Sequence, residues 1–146
     1  MIYRRRTVDK LEVLKSAEAK GGKARREAIE KLMIYARNLG CQVVAGGGAV
    51  GGINFRYGSI GYAIMDLNTE GEVKLYAQPH PNKGAPELLS AKINNWLTNR
   101  EDLVLKSHQI NCHGLLANKV EEVPISALIN FLEVALDAIK ETYYKG

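Results

Sequence analysis

The chain has 146 residues, 46% hydrophobic and 25% charged, with a net charge of +4. This composition excludes a disordered or fibrous chain, and at this length about two thirds of the unfolded surface can be buried without help from a disulfide or a metal. No apolar run approaches the ~20 residues that span a bilayer, so no membrane segment is expected.

The charge is uneven. Residues 1–40 hold eleven Lys/Arg against five Asp/Glu, whereas residues 41–146 hold nine against eleven. Basicity therefore belongs to the N-terminal segment, which suggests an anionic partner. The opening MIYRRRTVDK is basic but has no apolar stretch behind it, and it reads as no secretory signal. Cys41 and Cys112 lie far apart without CxxC spacing, which suits a reduced, cytoplasmic chain.

In chain order, Val8, Leu11, Leu14 and Ala17 recur at helical spacing behind Asp9. Gly21-Gly22 interrupts them, at a cost of roughly 2 kcal/mol relative to alanine in a helix interior, so a kink or break is expected. Helical spacing resumes with Ala24, Ala28, Leu32, Ala36 and Leu39 and stops at Gly40. The middle reads as strands. QVVA is a short apolar run, INFRYG alternates Ile53, Phe55 and Tyr57 against Asn54 and Arg56, SIGYAIMDL is mostly apolar, and EVKLYAQ alternates Val73, Leu75 and Ala77 against Glu72, Lys74 and Tyr76.

Gly58-Ser59 suggests a two-residue hairpin turn, and NTEG ends on a turn glycine. Connections this short force antiparallel neighbours. QPHPNKGAP is a loop, and Pro86 opens a helix carrying Leu89, Ile93, Trp96 and Leu97. DLVLKSHQI suggests one further strand. Val123-Pro124 opens a last helix lined by Leu128, Leu132, Leu136 and Ile139. The expectation is one α+β domain over residues 1–146, of order α–ββββ–α–(β)–α, with an antiparallel sheet of about four strands packed on one face by helices. A basic helical segment, residues 1–40, leads into it.

Five glycines fall between Gly46 and Gly52. A phosphate cradle needs such a turn to open a helix, but INFRYG follows and reads as a strand. The glycines therefore suit a hairpin or bulge. Gly51-Gly52 ahead of Asp66-Leu67-Asn68 resembles a nucleotidyltransferase pattern, but the second carboxylate is replaced by the neutral Asn68, which removes a metal ligand.

Asp66 with Glu72-Val73-Lys74 resembles the D…ExK arrangement of restriction-endonuclease-like nucleases. The resemblance rests on three residues, and it implies two carboxylates holding a metal that activates water while the lysine stabilises charge.

The basic segment offers Arg4, Arg5 and Arg6 and then KGGKARRE, with Lys20, Lys23, Arg25 and Arg26 where a helix restarts. A helix N-terminus already favours anions. Together with Arg56, these cations are the expected phosphate contacts of a non-enzymatic binding module for nucleic acid or another polyanion. The alternatives are a metal-dependent nuclease using Asp66, Glu72 and Lys74, or a small-molecule-binding domain. HQINCH and His80 lack the paired spacing of a zinc site, so no metal and no cofactor are expected. The wide apolar face of the C-terminal helix suggests a homodimer.

Overall fold

The structure, a computed structural model, describes residues 9–46, 51–57, 62–76, 95–97, 100–108 and 113–143. Helix α1 (Lys10–Asn38) starts where the Asp9 side chain accepts a hydrogen bond from the Glu12 N–H at 2.8 Å, an N-cap that satisfies one free donor of the first turn. Two apolar stripes bury it. Val13, Leu14 and Ala17 serve the first half, and Ile29, Leu32, Met33 and Ala36 the second. Between them Gly22 adopts φ +83°, outside helical space, so α1 is two helical pieces joined at a break. Only glycine takes that backbone readily.

Strands β1 (Cys41–Gly46), β2 (Gly52–Tyr57), β3 (Tyr62–Asn68) and β4 (Val73–Tyr76) follow as an antiparallel meander. Strands β5 (Leu105–His108) and β6 (His113–Leu116) form a further antiparallel pair. Strand β6 adds to β4, giving one sheet of order β1-β2-β3-β4-β6-β5. The described sheet thus has six strands where about four were expected. Each strand of the added pair has four residues, and His113-Gly114 breaks the apolar alternation that marks a strand. Tyr57 pairs with Tyr62, so four residues, 58–61, connect β2 to β3 rather than the two expected.

One face of the sheet is the core. Ile53, Phe55, Met65, Leu67, Val73 and Leu75 are at most 1% exposed, and the alternation read from sequence in INFRYG and EVKLYAQ puts Ile53, Phe55, Val73 and Leu75 inward. The register slips between Phe55 and Arg56, leaving Ile64 as an extra residue in β3; it too is buried in the core. Helix α2 (Ile125–Tyr143) covers this face with Leu128, Phe131, Leu132, Leu136 and Ile139. Phe131 meets Trp96, from a helical turn at 95–97, with ring centroids 5.9 Å apart. Much of the apolar face of this helix is thus packed inside the chain.

The break in α1 is explained by Arg25. Its guanidinium forks onto Glu121, with Nε at 3.0 Å from Oε1 and Nη2 at 2.9 Å from Oε2, and Nη1 donates to the Thr69 carbonyl at 3.3 Å. Glu121 lies in a 3-10 turn (Val120–Glu122), and Thr69 in the turn after β3. Two glycines make the room. A Cβ on Gly21 would fall on the guanidinium, and one on Gly71 would stand 2.7 Å from Nε. Burial alone raises the Glu121 carboxyl, but the hydrogen bond and charge of Arg25 outweigh it, and the net shift is downward.

A depressed carboxyl contributes stability above its unfolded pKa and loses it as the pH falls through the folded one. Glu121→Ala should cost about 3 kcal/mol in urea unfolding at pH 7, because it leaves a buried guanidinium without its counter-ion. Glu121→Gln should also be less stable than the wild type at pH 7, with the gap narrowing in acid. A gap independent of pH would show that the ionic pair contributes nothing.

Candidate functional site

Of the four cations in the KGGKARRE cluster, three are held by partners within the chain. Arg25 is 8% exposed and committed to Glu121. Arg26 is ion-paired with Glu30 at 2.7 Å and Glu18 at 3.6 Å; the Glu30 hydrogen bond raises its pKa further. Lys20 donates to the Thr69 hydroxyl at 2.7 Å. Of the KGGKARRE cluster, Lys23 alone is exposed with no side-chain bond to the described residues. Arg4, Arg5 and Arg6 lie outside the described residues.

The fate of Arg25 had a signal in the sequence, since it stands four residues before Ile29 and seven before Leu32, on the buried stripe. Arg26 and Glu30 are likewise an i,i+4 pair. Lys15, Lys31 and Arg37 were passed over in the sequence reading, and they are exposed on α1.

The remaining predicted residues gather elsewhere, on the sheet face turned away from the core. Pleating sends Asn54, Arg56, Asp66, Asn68 and Lys74 to that side, because each alternates with a buried residue. Asn54 stands directly opposite Asp66 on the neighbouring strand, and Asp66 directly opposite Lys74. Arg56 Nε donates to Asn54 Oδ1 at 2.6 Å. Asp66 is half-buried, and burial raises its carboxyl pKa; a hydrogen bond from Asn54 and the charges of Lys74 and Arg56 pull the other way without cancelling it. The arrangement is a cross-strand polar row, with a carboxylate at its centre and a cation on each side.

Glu72 and Lys74 share this face, so the three residues of the D…ExK resemblance do come together around β3 and β4. Glu72 is already held. Asn68 Nδ2 donates to its Oε1 at 2.8 Å, while Asn68 Oδ1 accepts from the Glu70 and Glu72 N–H groups at 3.0 and 2.9 Å. The neutral residue that spoils a nucleotidyltransferase reading thus shapes the turn between the two strands. Among the described residues no three His, Cys, Asp or Glu side chains gather as a metal site. Burial pushes the Cys41 thiol up to about 11, so it is protonated and a poor nucleophile at neutral pH. His80 and Cys112 lie outside the described residues.

The glycine-rich stretch leads from one strand to the next, with Gly46 paired to Gly52. Gly52 is bare because a Cβ there would fall on the Leu67 carbonyl of β3. No described helix starts after it. Gly52 lets β2 approach β3, whereas a phosphate cradle would need a helix to follow.

Because burial disfavours the charged Asp66, its ionised form costs stability above the unfolded pKa. Asp66→Asn should therefore raise the thermal midpoint at pH 7, and the gain should shrink as the pH falls into the carboxylate range. A loss at pH 7 would mean that Lys74 and Arg56 outweigh the burial cost. Compared with known proteins, the chain matches no protein-family model, no curated protein and no solved structure.

Proposed function

We propose that the chain is a non-enzymatic binding module that takes a phosphate-bearing ligand, nucleic acid or a small phosphate ester, on the sheet face turned away from the core. Arg56 and Lys74 are the anion contacts. The observation that carries the reading is the state of Arg56. Its Nε is fixed by Asn54, and its terminal guanidinium nitrogens have no partner among the described residues. A guanidinium held by one edge loses less entropy when it forks onto a phosphate. Lys74 lies two strands away on the same face and adds a second charge. Asp66 between them accepts a hydroxyl or amino donor of the same ligand, which favours a polar molecule over bare phosphate.

Affinity for labelled DNA and RNA should be measured at low and high salt, alongside thermal shifts with nucleotides and sugar phosphates. Arg56→Ala and Lys74→Ala should each weaken binding about tenfold, the value of one charge-assisted hydrogen bond. A log–log salt slope marks nucleic acid, whereas stabilisation by nucleotides alone marks a small ligand. Binding unchanged in the double variant would remove this face from the reading.

A second reading, a metal-dependent nuclease, draws on the register that sets Asp66 opposite Lys74 with Glu72 on the same face. Plasmid incubated with the protein and Mg2+ or Mn2+ should then be cut, and Asp66→Ala should abolish cutting. Undiminished cutting by that variant would take these residues out of the chemistry.

A further inference from the structure

The two edges of the sheet are built differently. Strand β5 carries exposed Lys106 in its middle, and its register with β6 slips between Leu105 and Ser107. A charge and a bulge are the devices that keep an edge strand from pairing with another chain. Strand β1 has neither. Its six residues, CQVVAG, contain no charge and no proline, and they pair with β2 without a slip. Among the described residues no strand pairs with its outer side.

Beside β1 lies an open groove of about 570 Å3, lined by Asp9, Lys10 and Leu11 of α1 and by Val43, Val44 and Ala45. Leu11 is 51% exposed and Val44 37%, two of the few large apolar side chains left outside. A largely apolar groove beside an edge strand that carries no charge or bulge fits an added β-strand, because the edge supplies backbone hydrogen bonds and the groove takes a side chain.

We infer that β1 is a homodimer interface, in which β1 of a second copy pairs antiparallel with it about a two-fold axis. Self-pairing suits this edge. The strand is uncharged along its length, so no like charges oppose one another and no ion is stranded against Val44. A two-fold axis also gives each copy the other's Leu11 and Val44, as an isologous contact requires. The dimer joins two six-stranded sheets into one. It uses the sheet edge, not the C-terminal helix, and it leaves the outward face with Arg56 and Lys74 free.

Six strand residues and one groove make a small interface beside the roughly 1,200–2,000 Å2 of a standard one, so the dimer is in exchange with monomer. Sedimentation of the full chain over a concentration series should show its mass rising from 16.1 kDa towards twice that. Val44→Lys places a charge on the exposed side of β1. It should hold the chain at the monomer mass while its circular dichroism and thermal midpoint stay those of the wild type. Leu11→Ser, a substitution on the helix side of the groove, should weaken association at least several-fold. A wild-type chain that stays monomeric throughout the series overturns the proposal and leaves the edge to a different partner. A dimer that both variants form as readily as the wild type overturns it as well.

Discussion

Most of the described architecture depends on one buried cation. A guanidinium taken out of water is stable only if paired and hydrogen-bonded. Arg25 meets that condition by joining three segments remote in sequence: the restarted half of α1, the turn after β3, and the 3-10 turn before α2. The Val120 N–H, bonded to the Gly71 carbonyl at 2.8 Å, ties the last two together directly. Features that look unrelated along the chain become a single requirement. Gly21 and Gly71 clear space on either side of the guanidinium, Gly22 turns the helix, and Glu121 supplies the charge. Replacing Gly21 or Gly71 crowds the arginine, and replacing Glu121 leaves it without its counter-ion.

The same interaction redistributes the charge that dominates the N-terminal forty residues. A cluster of four cations over seven positions reads as an electropositive surface. In the fold, Arg25 goes inward, Arg26 turns to its helical neighbours, and Lys20 reaches Thr69. Each has an ordinary physical reason. Arg25 stands four residues before Ile29, which sets it on the buried stripe of the helix. Among the described residues, Lys15, Lys23, Lys31 and Arg37 stay exposed on α1, and Arg56 and Lys74 stand on the outward side of the sheet.

The sheet separates three roles by geometry. The inward side of each strand builds the core with α1 and α2. The outward side holds the Asn54–Asp66–Lys74 row, and Arg56 is tethered to its first member. The rim differs from one end to the other, with the β5 edge guarded by a lysine and a bulge while the β1 edge is smooth and uncharged. The polar row and the β1 rim share no residues.

The class of fold, the antiparallel meander and the inward residues of β2 and β4 were legible in the residues alone. Period-2 alternation over Ile53–Tyr57 and Val73–Tyr76 reports burial directly, and short connections permit only antiparallel neighbours. The helix break was legible as well, because two adjacent glycines carry a local cost that no context hides. Strand β5 was legible in DLVLKSHQI, but β6 was not, since four residues that open on histidine and glycine lack a readable period.

Two decisions belonged to tertiary structure. One is which cations remain available, because the partner of Arg25 stands 96 residues away and no local pattern announces it. The other is that Asp66, Arg56 and Lys74 become neighbours, since cross-strand register is set by pairing and by the slip at Phe55. Local sequence determines what each segment prefers to be. Only the closed fold determines which charges meet each other and which still face water.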